Sequence, residues 1–292
     1  MGNKENSNID DNINNNLNDI KNNNTNSSTN NNINYISSNR KAYFHLPGLF
    51  EFYEFYKVFL SLFYEHREYF YDWCDIGSIY GAPADCIWGG GRAGFGDGEA
   101  EKVFSLMAQY GISARLTFSN SLIRKEHLAD VKCNKLCELL KAASKLHSDY
   151  KVTSEYASKD YSIDNSIRDT AFKNGIIVHS DILLDYLKNK YPELFVIADI
   201  STVEEGIRAS KAGVDAVGTT LSGYTPYSKN PIIFGTVPSP DPDYEIIKEL
   251  KTAGVSRVIA EGRINDGSKM KKCIEAGAFA VVIGTSISEP AK

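Results

Sequence analysis

The sequence predicts an α/β fold of the (βα)8, TIM-barrel-like class behind a disordered Asn-rich tail. Short apolar strands alternate with amphipathic helices, which is the order of parallel βαβ units. The strands lack polar alternation, which indicates burial on both faces of the sheet. Several strands end abruptly in polar or small residues, as strands do at the catalytic edge of such barrels. The sequence leaves open whether the barrel is complete, incomplete or a hybrid of unlike halves.

Three regions follow from composition. Of residues 1–40, 17 are Asn, and such a segment buries too little apolar surface to offset chain entropy, so we expect a disordered tail. Residues 41–188 alternate between strands and helices but belong to no lineage that the sequence identifies. Residues 189–292 carry the cleanest strand–helix repeat and predict a C-terminal half-barrel.

Bulk properties exclude several classes of partner. The net charge is −5, so no cationic field is available for nucleic acid. No apolar run approaches the roughly 18 residues of a membrane helix, and the N-terminal segment lacks the apolar core of a signal peptide. Five cysteines, an odd number, predict reduced thiols and a cytoplasmic location. Their spacing matches no common zinc site, so we expect no metal. A homodimer is left open.

Periodicity places the elements in order. Phe52, Phe55, Phe59 and Phe63 recur at helical steps and predict a buried helical face. Ser201 and Glu204 have the spacing of a capping box, which opens a helix, and Pro192 ends the helix before it. We expect strands at Asp75–Tyr80, Ala114–Phe118, Ile176–His179, Phe195–Ile200, Ala216–Thr220, Arg257–Ala260 and Ala280–Ile283. We expect further helices at Ala100–Tyr110, His127–Leu146, Asp181–Lys190, Tyr244–Thr252 and Ser268–Ala276.

Glu261 is the first candidate for chemistry. It directly follows the apolar strand that ends at Ala260, and a carboxylate at the exit of a buried strand is partly desolvated. Desolvation raises a carboxyl pKa toward the range of a general acid or base. The alternative is a glutamate exposed in a loop.

Two consecutive strand ends carry glycines beside polar residues. Gly262 and Arg263 follow one strand, and Gly284 and Thr285 follow the next. Loops after the last two strands of such barrels often bind phosphate through backbone N–H groups and hydroxyls, and Arg adds a forked anion clamp. The alternative is a pair of ordinary tight turns.

Three further strand ends carry polar side chains. Asp199 could bind a sugar hydroxyl or orient another side chain, or it could hydrogen-bond within its own turn. Thr219 lies in a hydroxyl-rich segment, residues 218–224, that suits a polyol substrate. His179 could act as a base, although the sequence shows no partner for it.

The segment from about residue 189 to residue 290 closely resembles the C-terminal half of bacterial N-acetylmannosamine-6-phosphate 2-epimerases. The matching sequence segments are KYP, ADISTVEEG, GTTLSGYTPYS, PDYEIIKEL, VIAEGRIN and VVIGTSIS, in that order. The resemblance implies a barrel that needs no cofactor and inverts the acetamido-bearing carbon of a phosphorylated amino sugar, using a lysine and a glutamate. The family glutamate matches Glu261. The phosphate-binding strand ends match Gly262, Arg263, Gly284 and Thr285, and Asp199 and Thr219 lie at substrate-facing strand ends.

The first half of the chain departs from that family. The family lysine stands in an I-K-x-x-Y context that this sequence lacks, and the surroundings of Lys151 (YKVTS) do not match it. We therefore expect epimerisation of N-acetylmannosamine 6-phosphate to N-acetylglucosamine 6-phosphate, in amino-sugar salvage, impaired by loss of the lysine. The alternative is a non-catalytic phosphosugar-binding protein or inactive hybrid. A third reading is a different reaction that uses His179 or Arg115.

Overall fold

The computed structural model describes residues 42–83, 86–89, 99–153, 173–229, 231 and 241–284. The predicted tail, residues 1–40, lies outside this part of the chain. Residues 40–292 group into one unit by their contacts.

Eight parallel strands form one sheet in chain order, each pairing with the next. This confirms the barrel-like α/β fold. A β8–β1 pair, which would close a barrel, is not among the strand pairs of the described residues. The strands are β1 Ala42–Pro47, β2 Cys74–Gly81, β3 Ser113–Phe118, β4 Gly175–Val178, β5 Phe195–Asp199, β6 Ala216–Gly218, β7 Val258–Glu261 and β8 Ala280–Val282.

Helices follow the strands and cover the outside of the sheet. Asp181–Lys190 and Tyr244–Thr252 begin and end at the predicted residues. The α-helices of the described residues are α1 Tyr53–Glu65, α2 Glu99–Gln109, α3 Val131–Thr153, α4 Asp181–Lys190, α5 Val203–Lys211, α6 Tyr244–Thr252 and α7 Gly267–Glu275. Short 3-10 helices occupy Arg67–Tyr69, Ile87–Gly89 and Lys125–Ala129.

The structure corrects the prediction at the start of the sheet. β1 lies in the aromatic segment where periodicity indicated only a helix, because its mixed, half-exposed side chains hide strand alternation. In α1 the buried stripe is Tyr56, Leu60 and Phe63. The expected burial of Phe52 and Phe55 is wrong, since these side chains are 52% and 58% exposed.

Two helix starts also differ from prediction. The helix expected from His127 is interrupted, because the short 3-10 helix ends at Asp130. The Asp130 carboxylate accepts the Cys133 N–H at 2.8 Å, at the start of α3. The capping box of α5 is Thr202–Glu205, one residue later than expected. The Thr202 hydroxyl accepts the Glu205 N–H, and the Glu205 carboxylate accepts the Thr202 N–H, both at 3.2 Å.

Two apolar clusters stabilise the sheet. The larger lies between the strands and the helices, and the smaller comprises Phe195, Ile197 and Ala216 with Ile177 and Ile259 packed against them. Because side chains alternate along a strand, the smaller cluster marks the inner face of the curled sheet.

The expectation of five reduced thiols is wrong for one pair. Cys86 and Cys133 are joined as a disulfide with a Cα–Cα distance of 5.6 Å. Linear spacing hides this contact because 47 residues separate the two cysteines. Cys137 and Cys273 are buried free thiols. Within the described residues, no helix has both the length and the apolar character needed to cross a membrane.

Candidate functional site

A chain of hydrogen bonds joins the carboxyl ends of four consecutive strands. His179 Nε2 lies 2.8 Å from Asp199 Oδ2. The Thr220 hydroxyl lies 2.7 Å from Asp199 Oδ1 and 2.9 Å from Glu261 Oε2. The structure therefore brings together Glu261, Asp199 and His179, three residues that the sequence singled out separately.

Strand register places these side chains on the inner face. Ile197 and Ile259 both belong to the inner apolar cluster. Asp199 and Glu261 each follow one of them by two residues, so they point the same way at the edge of the sheet. Asp199 pairs with Gly218, and Gly218 pairs with Ile259, so Glu261 lies two residues further toward the carboxyl edge than Asp199. Thr220, two residues after Gly218, bridges the two carboxylates.

Gly218 leaves the space that this network occupies. A Cβ atom at this position would lie 2.7 Å from Asp199 Oδ1 and 3.2 Å from Thr220 Oγ1. The hydrogen bond between Asp199 and Thr220 therefore runs through space that any other residue type would fill. The sequence reading treated Gly218 only as part of a hydroxyl-rich loop.

Glu261 is poised between its two protonation states near neutral pH. Burial, and then the negative charge of Asp199, raise its pKa to about 7, against smaller lowering effects of the Thr220 hydrogen bond and of His179. The hydrogen bonds support this direction. One hydroxyl carries one proton, so Thr220 can donate fully to only one of its two carboxylate neighbours, and a proton on Glu261 supplies the second bond.

Tyr80 reaches the same site from β2. Its pKa is raised by burial and by the charges of Glu261 and Asp199, so the phenol is neutral at ordinary pH and can donate a hydrogen bond. The sequence reading missed Tyr80 because an aromatic residue inside an apolar strand is ordinarily a core residue.

Thr219 is part of the framework of the site. It is 2% exposed, and its hydroxyl donates to the Glu261 carbonyl at 3.1 Å and accepts the Glu261 N–H at 3.0 Å. The sequence placed Thr219 against substrate. In the structure its hydroxyl holds the backbone of Glu261, while the neighbouring Thr220 contacts the carboxylate.

Arg263 joins two loops at the same edge. Gly262 and Arg263 both have positive φ, 101° and 62°, which turns the chain sharply after β7. The guanidinium donates from Nε to the Asp241 carbonyl and from Nη1 to the Ser222 carbonyl, both at 2.9 Å. These bonds use two of its five donors.

The second expected phosphate loop is only partly described. Gly284 is exposed just after β8, and Thr285 lies outside the described residues. Groups of three or more His, Cys, Asp or Glu side chains that could hold a metal are absent from the part of the chain that the structure describes.

Sequence reasoning missed the partner of His179 and the role of Thr220. Both depend on the register between neighbouring strands, which the linear sequence does not show. His179 follows β4 directly, and the register pairs Val178 with Ala198, so His179 comes level with Asp199.

The fold is a parallel eight-stranded sheet, and ionisable side chains lie at the carboxyl ends of its strands. These two features define the class of barrel-like α/β proteins. Within that class, residues 161–292 match the family described as "Putative N-acetylmannosamine-6-phosphate epimerase". This match covers the C-terminal part of the chain. The match begins 28 residues ahead of residue 189, where the resemblance in sequence segments starts.

Individual relatives agree with this family. The chain is 47% identical over 120 residues to a "Putative N-acetylmannosamine-6-phosphate 2-epimerase" of Caldanaerobacter subterraneus, covering 41% of this chain and 47% of the relative. It is 48% identical over 94 residues to a protein of the same description from Clostridium perfringens, covering 32% and 39%. The chain thus spans about half or less of the length of these relatives. A solved structure of the N-acetylmannosamine-6-phosphate 2-epimerase from Clostridium perfringens matches with 26% identity, coverage of 65% and 81%, and a TM-score of 0.36.

Proposed function

We propose that this chain epimerises N-acetylmannosamine 6-phosphate to N-acetylglucosamine 6-phosphate. The reaction removes the proton from the acetamido-bearing carbon and returns one to the opposite face. Glu261 is one of the groups that carries this proton. The supporting observation is its position: a partly buried carboxyl at the end of β7, held by Thr219 and Thr220, with a pKa of about 7.

A group with this pKa suits proton transfer in both directions. A general acid or base works best when its pKa lies near the working pH, because both protonation states are then populated. Epimerisation needs this balance, since each group removes a proton in one direction and returns it in the other. A positioned group of this kind contributes about 10² to 10⁴-fold to rate.

The remaining residues of the proposed site bind the substrate. We assign the phosphate to the loops after β7 and β8, with the backbone of Gly262 and Gly284, the Thr285 hydroxyl and the guanidinium of Arg263. Asp199 orients the reacting part of the sugar, and Thr219 acts through the backbone of Glu261. The family match over residues 161–292 supports a phosphorylated amino sugar as the substrate. Assembly as a homodimer stays a prediction.

The test is proton exchange in deuterated water. The protein is incubated with N-acetylmannosamine 6-phosphate, and the proton on the acetamido-bearing carbon is followed by NMR. We expect the N-acetylglucosamine epimer to form with deuterium at that carbon. The unphosphorylated sugar is the matched control, and it should react much more slowly.

The competing function is phosphosugar binding without catalysis. The absence of an I-K-x-x-Y segment from the sequence favours it. Saturable binding of the phosphosugar with neither exchange nor epimer formation would contradict the proposed activity and support this alternative.

A further inference from the structure

We infer that His179 is the second acid/base group of the site and acts on the face of the substrate opposite Glu261. This inference rests on the proposed epimerisation. Inversion at carbon needs proton removal on one face and proton delivery on the other, so a single carboxyl cannot complete it. Histidine is the side chain whose unperturbed pKa suits both steps near neutral pH.

The two groups stand on opposite sides of the strand edge. His179 follows β4 and Glu261 ends β7, so they are three strands apart in a curled sheet of eight. Asp199 from β5 and Thr220 after β6 lie between them and bridge them by hydrogen bonds. A substrate carbon held above Asp199 and Thr220 would therefore have Glu261 on one side and His179 on the other.

Asp199 prepares His179 for this role. The His179 and Asp199 side chains are 15% and 7% exposed, so their contact is largely shielded from water. A carboxylate on one ring nitrogen holds the imidazole in one orientation. Nε2 makes this bond, and the ring has no other hydrogen bond to a described residue. Nδ1 is thus the nitrogen left to face the substrate.

The reaction needs no co-reactant, because one proton is removed from the carbon and one is delivered to it. On the open-chain sugar, the Glu261 carboxylate takes the proton of the carbon next to the aldehyde. The C–H bond breaks, an O–H bond forms, and the electron pair moves to the aldehyde oxygen as an enolate. Protonated His179 then delivers its Nδ1 proton to the other face: the N–H bond breaks, the C–H bond forms, and the electron pair returns from the enolate oxygen.

The site resets by proton exchange with water. After one turnover, Glu261 carries the extra proton and Nδ1 of His179 lacks one, while Nε2 keeps the proton that it shares with Asp199. Glu261 releases its proton to water and Nδ1 takes one up from water, which restores the starting state.

Tyr80 is the rival candidate for the second group. It lies near both carboxylates, but its pKa is raised by burial and by their charge. A phenol with a raised pKa donates a hydrogen bond and is a poor base near pH 7. We therefore assign Tyr80 a role in holding the substrate.

The test measures exchange and epimerisation from each epimer separately, by NMR in deuterated water. His179→Gln and Glu261→Gln are compared with wild type, and Tyr80→Phe tests the rival. His66→Asn is the matched control, because His66 is an exposed histidine paired with Glu68 on the surface. Circular dichroism and thermal unfolding check that each variant folds.

We expect folded His179→Gln to lose epimer formation by about 10² to 10⁴-fold and to exchange the proton of only one epimer. Glu261→Gln should exchange only the other epimer, and His66→Asn should behave as wild type. Wild-type epimerisation by His179→Gln would overturn the assignment and leave the proposed function standing. Loss of exchange from both epimers in folded His179→Gln, or the one-epimer pattern in Tyr80→Phe, would also overturn it. An inactive wild type would overturn both proposals.

Discussion

At the scale of single residues, Glu261 owes its properties to neighbours from β5 and from the end of β6. Burial at the end of β7 and the charge of Asp199 favour the protonated carboxyl. Thr219 holds the backbone of Glu261, and Thr220 contacts its carboxylate. The same surroundings that destabilise the ionised form make the proton available to chemistry, which is the usual origin of a shifted pKa at a functional site.

This shift should appear in the dependence of stability on pH. The folded protein binds the Glu261 proton more tightly than the unfolded chain does. Its stabilising contribution is complete below the unfolded pKa of 4.5 and is lost as pH rises through about 7. At about 1.4 kcal/mol per pKa unit, wild type should lose roughly 3 kcal/mol relative to Glu261→Gln across this window.

The measurement is chemical denaturation of both proteins at a series of pH values. Glu245→Gln is the matched control, because Glu245 is an exposed carboxylate on α6. A constant difference in the free energy of unfolding between wild type and Glu261→Gln at every pH would show that Glu261 titrates normally.

Gly218 offers a second prediction at the residue scale. In Gly218→Ala the new Cβ would lie 2.7 Å from Asp199 Oδ1, so the Asp199–Thr220 contact must open. We expect a loss of about 1 to 3 kcal/mol in stability and slower epimer formation, measured by denaturation and turnover. Gly267→Ala is the control, because its Cβ would meet nothing within 4 Å. Wild-type turnover by Gly218→Ala would show that the site does not depend on this contact.

At the scale of elements, side-chain caps position the helices that follow the functional strands. Ser180, Thr202, Asp243 and Asp266 each accept a backbone N–H of the first helical turn. Three of these caps follow His179, Asp199 or Glu261 within five residues. The loops that carry the functional groups are therefore short and end in a fixed helix start.

The cap of α5 can be tested directly. Thr202→Ala removes the hydroxyl that accepts the Glu205 N–H, so the free energy of unfolding should fall by about 1 kcal/mol. Ser268→Ala, at an exposed helical position of α7, should change it by less than about 0.5 kcal/mol. Equal effects of the two substitutions in thermal or chemical unfolding would argue against the cap.

At the scale of the whole molecule, the two halves of the chain share one sheet. β4 pairs with β5 from Gly175 with Phe195 to Val178 with Ala198, and one apolar cluster runs from Leu49 to Ala278. The family match covers residues 161–292. The sheet and the apolar cluster both include residues from either side of residue 161. We therefore expect residues 40–292 to unfold as one cooperative unit.

A core substitution in the second half tests this coupling. Leu250→Ala empties a fully buried position on α6 and should cost about 2 to 5 kcal/mol. Both tryptophans, Trp73 and Trp88, lie in the first half, so their fluorescence reports on β1–β4. The denaturation midpoint followed by tryptophan fluorescence should fall as far as this loss of free energy of unfolding requires. The exposed substitution Lys248→Ala should leave that midpoint unchanged. A midpoint that does not move in Leu250→Ala would mean that the halves unfold independently.

Sequence reasoning predicted the fold class and most strands and helices, because buried parallel strands and capped amphipathic helices leave strong local signals. It found Glu261 and Asp199 for the same reason: each ends a continuous apolar strand. It could not pair His179 with Asp199, or Cys86 with Cys133, because those contacts depend on register and packing between distant segments. It also chose Thr219 and passed over Thr220, since only the twist of the chain after β6 decides which hydroxyl faces the carboxylates.

The most direct test of the central claim is the rate of epimer formation by Glu261→Gln. Gln keeps the size of the side chain and its hydrogen bond to Thr220 but cannot carry the proton. With wild type active on N-acetylmannosamine 6-phosphate, we expect the variant to lose about 10² to 10⁴-fold in rate with little change in phosphosugar binding, and Glu245→Gln to match wild type. Epimer formation by folded Glu261→Gln at the wild-type rate would contradict the account.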